Sequence, residues 1–425
     1  MSPSKLFRIP PVAQILIALV LAVAAGLLTH RGVLPKGAVP VYAFLGTIFL
    51  NALKMVIVPL ITASITAGVA NISADKSFGR LGAKTLAYYL MTTTFAVIVG
   101  LVLVNAIRPG IVDGKPLLES GLAGMTASNG AAVAEKLADR GAGDLAEIFI
   151  RMIPANVIEA AARMDLLALI FFSLLFGAVL GRLESEGARS LRRGIDGILE
   201  VMTKITALVM RFAPLGVFGL VAKVFAEGGG SVVGPMLAFA GGVLGGLAFH
   251  LFVVLSLGLW LLGRVSPRDH LRAMGPCLLT AFSTSSSSAT LPVTMDCLER
   301  RAGVPKRYTS FIVPLGATVN MDGTALYECM AAMFIAQAYG IELAPMTQFI
   351  VVLLALLTSI GVAGIPQASL AAIIIILDAV GVPAEGIGLV LGVDRLLDMC
   401  RTAVNVYSDT CGAAVIAKSE ERRFR

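Results

Sequence analysis

Long apolar stretches alternate with short polar connections along this chain, and each stretch is apolar on all sides rather than along one helical stripe. A helix needs about 20 residues to cross about 30 Å of hydrocarbon. Stretches long enough to cross lie near 11–29, 40–70, 84–107, 145–181, 196–225, 233–263, 308–337 and 387–417. Two further apolar segments, about 274–298 and 346–380, are interrupted by Ser, Gly and Pro and read as broken hairpins rather than clean spans.

Composition agrees with this pattern. Of 425 residues, 57% are hydrophobic and 14% are charged, where a soluble domain carries roughly 25% charged residues. Mean hydropathy is +0.87, so the chain reads as an all-α polytopic membrane protein. Residues 10–29 follow Lys5 and Arg8 and imitate a signal peptide, but the membranous sequence downstream favours an uncleaved first span.

Basic residues cluster in alternate connections: Lys76, Arg80 and Lys84, then Arg189, Arg192 and Arg193, then Arg264, Arg268 and Arg272. Further clusters are Arg300, Arg301, Lys306 and Arg307, and finally Arg422, Arg423 and Arg425. The positive-inside rule puts these loops and both termini in the cytoplasm and the chain in the cell (inner) membrane. Topology therefore accounts for the net charge of +7, and no nucleic-acid partner is needed.

The five cysteines lie in or beside apolar segments without metal-ligand spacing and read as reduced packing residues. The sequon at Asn71-Ile72-Ser73 falls on the expected cytoplasmic side. His30, His250 and His270 are expected at span ends or near loops, away from the motifs below.

The first half, to about residue 265, reads as framework, apart from a Gly/Ala/polar connection at 109–144. In the second half one pattern occurs twice: an apolar segment broken by small residues and a proline, followed by a helix with polar side chains. "STSSSSATLP" precedes "GATVNMDGTALYE" (316–328), and "TSIGVAGIPQASL" (358–370) precedes "DRLLDMCRTAVNVYSD" (394–409). Paired, interrupted segments of this kind point to a transporter's binding site.

The hydroxyl run at 283–288 is expected to form a hairpin tip inside the protein, since open backbone is not tolerated in lipid. Helix N–H groups and serine hydroxyls at such a tip suit a carboxylate. The plainer alternative is that these hydroxyls only bond back onto their own helices.

On the last helix, at about 100° per residue, Asp394, Asp398, Arg401, Thr402, Asn405 and Asp409 share a stripe about 100° wide. Charges at membrane depth are costly and call for a purpose. Ion pairing of Arg401 with Asp394 or Asp398 explains part of the stripe but not Asn405 and Asp409. An arginine fork suits a carboxylate and an aspartate suits an ammonium, so the stripe suggests a zwitterion carrying an extra acid. In "TVNMDGT", unwinding at Gly323 would let Asp322 and backbone carbonyls converge on a cation. Glu328, further along that helix, is a candidate proton carrier.

These motifs resemble the glutamate transporter family, the dicarboxylate/amino-acid:cation symporters: "SSSSATLP", "NMDGTALYE", "SIGVAGIPQA" and "DMCRTAVNV" occur in the family's order over almost the whole chain. The resemblance implies eight transmembrane helices plus two re-entrant helical hairpins in an elevator-type transporter that assembles as a homotrimer. It implies scaffold helices at 1–75 and 145–227, with an extracellular connection at 111–144. The transport domain would comprise 76–110 and 228–418, followed by a cytoplasmic tail at 419–425.

By position, the resemblance gives Arg401 the substrate's side-chain carboxylate, with Thr324 assisting, and gives Asp398 the amino group. Asn405 and Ser287 would hold the α-carboxylate, carbonyls at Ser285 and Ile365 would close around the amine, and Ser286 and Thr402 complete the substrate set. One sodium position is similar to Gly316, Asn320, Asn405 and Asp409. A second is similar to Thr318, Met321 and the carbonyls of Ser359, Ile360 and Val362. A third is similar to Tyr89, Thr92, Thr93, Asn320 and Asp322.

The chain departs from the family pattern in three places. Ser285 and Met399 stand where archaeal and animal members place an extra arginine. Gln367 and Ser369 replace hairpin glycines of archaeal members. Glu328 matches the residue that animal members use for proton and potassium coupling, where archaeal members have glutamine. Because Asp398 and Arg401 occur together, L-glutamate or L-aspartate is the implied substrate. Na+ is the favoured co-transported ion and H+ the other, and a proton-coupled glutamate/aspartate or C4-dicarboxylate symporter is the alternative. An intramembrane hydrolase is disfavoured because no histidine lies beside Ser286 or Ser287 in the sequence to act as base. An anion channel is disfavoured by the charge-balanced stripe. Two substitutions test this reading: Ser287→Ala should weaken uptake, and Arg401→Cys should shift preference toward neutral amino acids, both measured by competition against labelled L-glutamate.

Overall fold

In hydrocarbon every backbone N–H and C=O must be paired within the protein, and a helix does this segment by segment. The computed structural model describes residues 11–74, 79–117, 150, 153–163, 166–361 and 368–421, and nearly all of them are helical. Among them the strands are β1 (Ile111–Val112) and β2 (Lys115–Pro116), an antiparallel pair in which Ile111 faces Pro116.

The first three spans form as expected: α1 (Pro11–His30), α2 (Val39–Ala74) and α3 (Gly79–Ile107). The next two expected spans are subdivided. A short α4 (Val157–Ala162), capped by the Asn156 side chain, precedes α5 (Leu166–Arg182). The segment expected as one span over 196–225 is two helices, α6 (Glu186–Arg211) and α7 (Ala213–Gly228), separated at Phe212. Pro214 explains the break, because it cannot donate to the preceding turn. In α6, Ala188, Met202, Thr206 and Val209 are buried on one face, while charged residues line the rest.

The span at 233–263 is one long helix. Its first part is α8 (Val233–Phe249), and it continues through π turns at His250–Leu255 and Leu259–Gly263. Both expected hairpins have their two limbs: α9 (Pro267–Thr284) with α10 (Ser287–Asp296), and α13 (Pro345–Gly361) with α14 (Ala368–Ala379). Between them α11 (Lys306–Val319) and α12 (Asp322–Ala338) replace a single expected span. The chain ends in α15 (Gly388–Glu421). The connection at 118–149 and the termini at 1–10 and 422–425 lie outside the described residues.

Packing gathers the helices into two groups. α2 receives α5, α6 and α7, and α7 also packs on α1. In the other group α12 is surrounded by α3, α8, α13, α14 and α15, and α15 also receives α9 and α11. α12 is buried on every side from Ala325 to Ala336, as a helix apolar all round requires. The two groups meet where α7 packs on α15.

At one end of the second group Glu420 of α15 ties back to α3: Arg80 and Lys84 donate to its two oxygens at 2.5 and 2.6 Å. The Lys84 hydrogen bond, and then that of Arg80, hold the Glu420 carboxyl below the usual carboxylate range. The clamp is therefore intact at neutral pH and is lost only as pH falls through that depressed value. Cys277, Cys297, Cys329 and Cys411 are buried and Cys400 is half-buried, and all five are free thiols.

Small residues bring the first group together, as in other membrane bundles. A Cβ on Gly219 would lie 2.6 Å from the Tyr42 carbonyl oxygen and 2.7 Å from the Gly46 amide nitrogen, so α7 and α2 touch backbone to backbone there. Backbone cannot swing aside, and overpacking of this kind costs about 1–3 kcal/mol. Gly219→Leu should lower the melting temperature of the purified protein in detergent. Gly230→Ala, where a Cβ meets nothing within 4 Å, should leave it unchanged.

Candidate substrate and cation site

The serine run turns the chain. Helix α9 ends at Thr284, Ser285 takes a left-handed conformation (φ 50°), and α10 begins at Ser287 with Ser286 as its N-cap. The Ser286 hydroxyl accepts from the Ala289 amide at 3.2 Å, while Thr284 and Thr290 bond back onto their own helices. Ser285 and Ser287 are buried, and the Ser285 hydroxyl has no hydrogen-bond partner. Back-bonding thus accounts for some hydroxyls of the run, and the tip accounts for the others.

The interruption expected at Gly323 lies instead at Asn320, whose backbone is extended, and Met321, whose backbone is also non-helical; together they separate α11 from α12. Gly323 sits in the first turn of α12. Its role is close approach, because a Cβ there would lie 2.8 Å from the Arg401 carbonyl oxygen. The Asn405 side chain caps this helix start: its Oδ1 accepts from the Gly323 amide at 2.7 Å and, more weakly, from Thr324. Its Nδ2 donates to the Thr324 hydroxyl at 3.0 Å and to the Met321 sulfur.

Asp322 is fully buried and accepts four hydrogen bonds. Thr92 and Thr93 of α3 donate to Oδ1 at 3.3 and 2.6 Å, and Ser408 of α15 donates to Oδ2 at 2.7 Å. The fourth donor is His250 Nε2, 2.9 Å from Oδ2. This corrects the expectation that the histidines lie away from the motifs. His250 is mid-way along the 233–263 helix and fully buried, and His270 of α9 is buried too, 3.1 Å from the Thr410 hydroxyl. His30 does end α1.

A second cluster lies beside the first. Asn320 Nδ2 donates to Asp409 Oδ1 at 2.9 Å, whereas Asn320 Oδ1 is buried without a partner. A Cβ on Gly316 would lie 2.4 Å from Asp409 Oδ1 and 2.6 Å from the Tyr89 hydroxyl, so glycine opens a small oxygen-lined cradle. The Tyr89 hydroxyl donates to the Ile312 carbonyl at 3.1 Å. Hard oxygens, two carboxylates and an unused buried amide oxygen are the donor set for a hard cation. Among the described residues no three His, Cys, Asp or Glu side chains form a transition-metal cluster.

The sequence-derived second sodium set is only partly assembled. The Thr318 side chain is exposed and its hydroxyl bonds back to the Pro314 and Leu315 carbonyls. Met321 and Ser359 are buried. Ile360 lies in the last turn of α13 with its side chain outside the described residues, and Val362, Ile365 and Gln367 are outside them altogether.

On α15, Asp394, Asp398, Arg401, Thr402, Asn405 and Asp409 are all buried, as the helical stripe requires. Arg401 Nη2 donates to Asp398 Oδ1 at 3.0 Å and to Asp394 Oδ1 at 3.1 Å. Its guanidinium lies 3.7 Å from the Tyr327 ring centroid, and Nε and Nη1 have no partner. Thr402 bonds back to the Asp398 carbonyl. Glu328 is fully buried; its Oε2 accepts from Thr358 of the second hairpin at 2.9 Å, and its Oε1 has no partner.

An intramembrane constellation of an arginine edge with free donors, paired carboxylates and oxygen cradles, in a chain with two broken hairpins, is that of a coupled carrier. The model of the sodium:dicarboxylate symporter family matches residues 12–419. This chain belongs to that family. It is therefore an integral membrane symporter and not an enzyme.

The chain is 37% identical over 419 residues to the proton/glutamate-aspartate symporter of Escherichia coli, covering 96% of this chain and 92% of that protein. It is 34% identical to the proton/sodium-glutamate symport protein of Bacillus caldotenax, covering 96% and 94%. It is 35% identical to excitatory amino acid transporter 3 of Mus musculus, covering 90% and 80%.

Sequence reasoning did not anticipate His250, Ser408 or Tyr327, whereas the ion pairs of Arg401 with Asp394 and Asp398 were among its readings. One signal for His250 was available: a single histidine in the middle of an apolar span needs a partner as much as an aspartate does. Removing the donor in this symporter leaves a buried carboxylate oxygen short of a hydrogen bond, at a cost of about 1–3 kcal/mol. His250→Ala should lower the melting temperature in detergent, and His250→Gln, which keeps an N–H, should lower it less.

Proposed function

We propose that this symporter takes up L-glutamate and L-aspartate together with cations, Na+ foremost, by elevator movement of a transport domain. The observation that carries the reading is Arg401: a buried guanidinium with two nitrogens, Nε and Nη1, unused and two carboxylates at its Nη2. A buried fork with free donors is a receptor for a carboxylate.

In this reading Arg401 turns its unpaired edge to the substrate's side-chain carboxylate, with the Thr324 hydroxyl beside it. Asp398 gives up its bond from Arg401 and receives the ammonium, with Thr402 alongside. The hairpin tip at Ser285, Ser286 and Ser287 receives the α-carboxylate next to Asn405, and the Ile365 carbonyl closes over the amine. The relatives named for glutamate and aspartate support this substrate class.

Bringing one negative charge into a negatively charged cell costs about 2.3 kcal/mol per 100 mV. Coupled cations offset that cost. The cradle at Gly316, Asn320, Asn405 and Asp409 and the cluster at Tyr89, Thr92, Thr93, Asn320 and Asp322 are the proposed Na+ positions. Thr318, Met321, Ser359, Ile360 and Val362 form a third that assembles when the second hairpin closes. Glu328 favours a second reading, proton coupling, because one of its buried oxygens has no partner.

The two packing groups support the domain assignment, in which a trimeric scaffold (1–75 and 145–227) flanks moving parts (76–110 and 228–418). Loop charge supports cytoplasmic termini in the inner membrane.

The test is uptake of labelled L-aspartate and L-glutamate into liposomes containing the purified protein, with a sodium or a proton gradient imposed separately. Uptake under sodium alone supports the cation positions, whereas uptake under protons alone transfers coupling to Glu328 and removes those assignments. Gly316→Ala, whose methyl would fill the cradle, should raise the sodium concentration for half-maximal uptake at least about tenfold, equivalent to about 1.4 kcal/mol.

A further inference from the structure

Asp398 is held twice. Oδ1 accepts from Arg401 at 3.0 Å, and Oδ2 accepts from Arg395 Nη1 at 3.1 Å. Arg395 comes one helical turn before Asp398; its side chain and that of Asp398 are each 11% exposed, and its Nε is buried without a partner. The pair lies within one helix, so it ties no two elements together and does little to hold the bundle. Its effect falls on Asp398.

Charge counting shows what that effect is. Asp394, Asp398, Arg395 and Arg401 form a connected group of two carboxylates and two guanidiniums, and it sums to zero. Without Arg395 the same group would carry an uncompensated negative charge away from bulk water, which a low-dielectric site does not tolerate without drawing in a cation.

We propose that Arg395 is the resident counter-charge of the empty substrate site. It stays on Asp398 Oδ2 while Arg401 leaves Oδ1 for the substrate's carboxylate and the substrate's ammonium takes the vacated oxygen. The substrate-binding group on α15, apart from the Asp322 and Asp409 cradles, is thereby neutral when empty, and it demands no counter-transported cation as the empty carrier returns across the membrane. This inference rests on the assignment of Asp398 to the substrate ammonium.

The experiment compares two modes in the same liposomes containing the full-length protein, so that the amount of folded carrier cancels. Net uptake of labelled L-aspartate requires return of the empty carrier, whereas counterflow against internal unlabelled L-aspartate does not. For the wild type, net uptake should be the same with choline or potassium inside. For Arg395→Gln with choline inside, the ratio of net uptake to counterflow should fall about tenfold, the scale expected for one uncompensated buried charge. Internal potassium or a lowered internal pH should restore it, and Arg395→Lys should keep the wild-type ratio. An unchanged ratio in Arg395→Gln, or a wild type that already requires internal potassium, overturns the proposal. Asp398→Asn separates the underlying reading: if L-aspartate protects that variant from thermal unfolding as it does the wild type, the ammonium assignment is wrong whatever Arg395 does.

Discussion

A carboxylate buried at membrane depth must be surrounded by donors, and Asp322 is where this chain meets that demand most completely. Its donors come from three helices besides its own: Thr92 and Thr93 on α3, His250 on the 233–263 helix and Ser408 on α15. Four elements distant in sequence are therefore set in register by one side chain. Each donor has few alternatives in an apolar surrounding, which makes the arrangement specific as well as satisfied.

The broken helix beside Asp322 follows from the same constraint. At Asn320 and Met321 the ladder is interrupted, and the first amides of α12 need acceptors that lipid cannot provide. Asn405 fills that need from α15. The close approach of α12 and α15 at Gly323 brings Asn405 within reach, and the same approach sets Arg401 over the Tyr327 ring. Helix capping and substrate-site geometry are thus one piece of packing, with glycines at 316 and 323 where a methyl group would not fit.

Much of this was legible in the sequence, because the strongest signals were local. Apolar run length gave the spans, the hydroxyl run gave the first hairpin tip, and helical spacing placed six polar residues on one buried face of α15. What was not legible depends on contact between distant segments. Nothing near His250 in the chain indicates that a residue 72 positions later accepts its hydrogen bond. The break was expected at Gly323 because glycine is the usual local breaker, yet it falls three residues earlier, where Asn320 finds Asp409 and Asn405 can cap. The subdivision at Phe212 was legible in principle from Pro214, but hydropathy alone runs straight through it. Thr318 was matched to a ligand set by order along the chain, and its hydroxyl bonds back to its own helix, a side-chain direction that order along the chain does not reveal.

Arg401 cannot be kept ready for a carboxylate by leaving it bare, since an isolated buried guanidinium would pull in water or anions. The chain meets this by lending it Asp394 and Asp398 along one edge and an aromatic face against the plane, leaving Nε and Nη1 open. Asp398 then has a second oxygen to satisfy, and Arg395 does that from one turn away on the same helix. Because both arginines and both aspartates belong to α15, the whole balanced group is built on one helix. In the proposed reading, a substrate with one positive and two negative charges would exchange contacts within the group, and the charge it adds would be left for cations in the neighbouring oxygen cradles to neutralise.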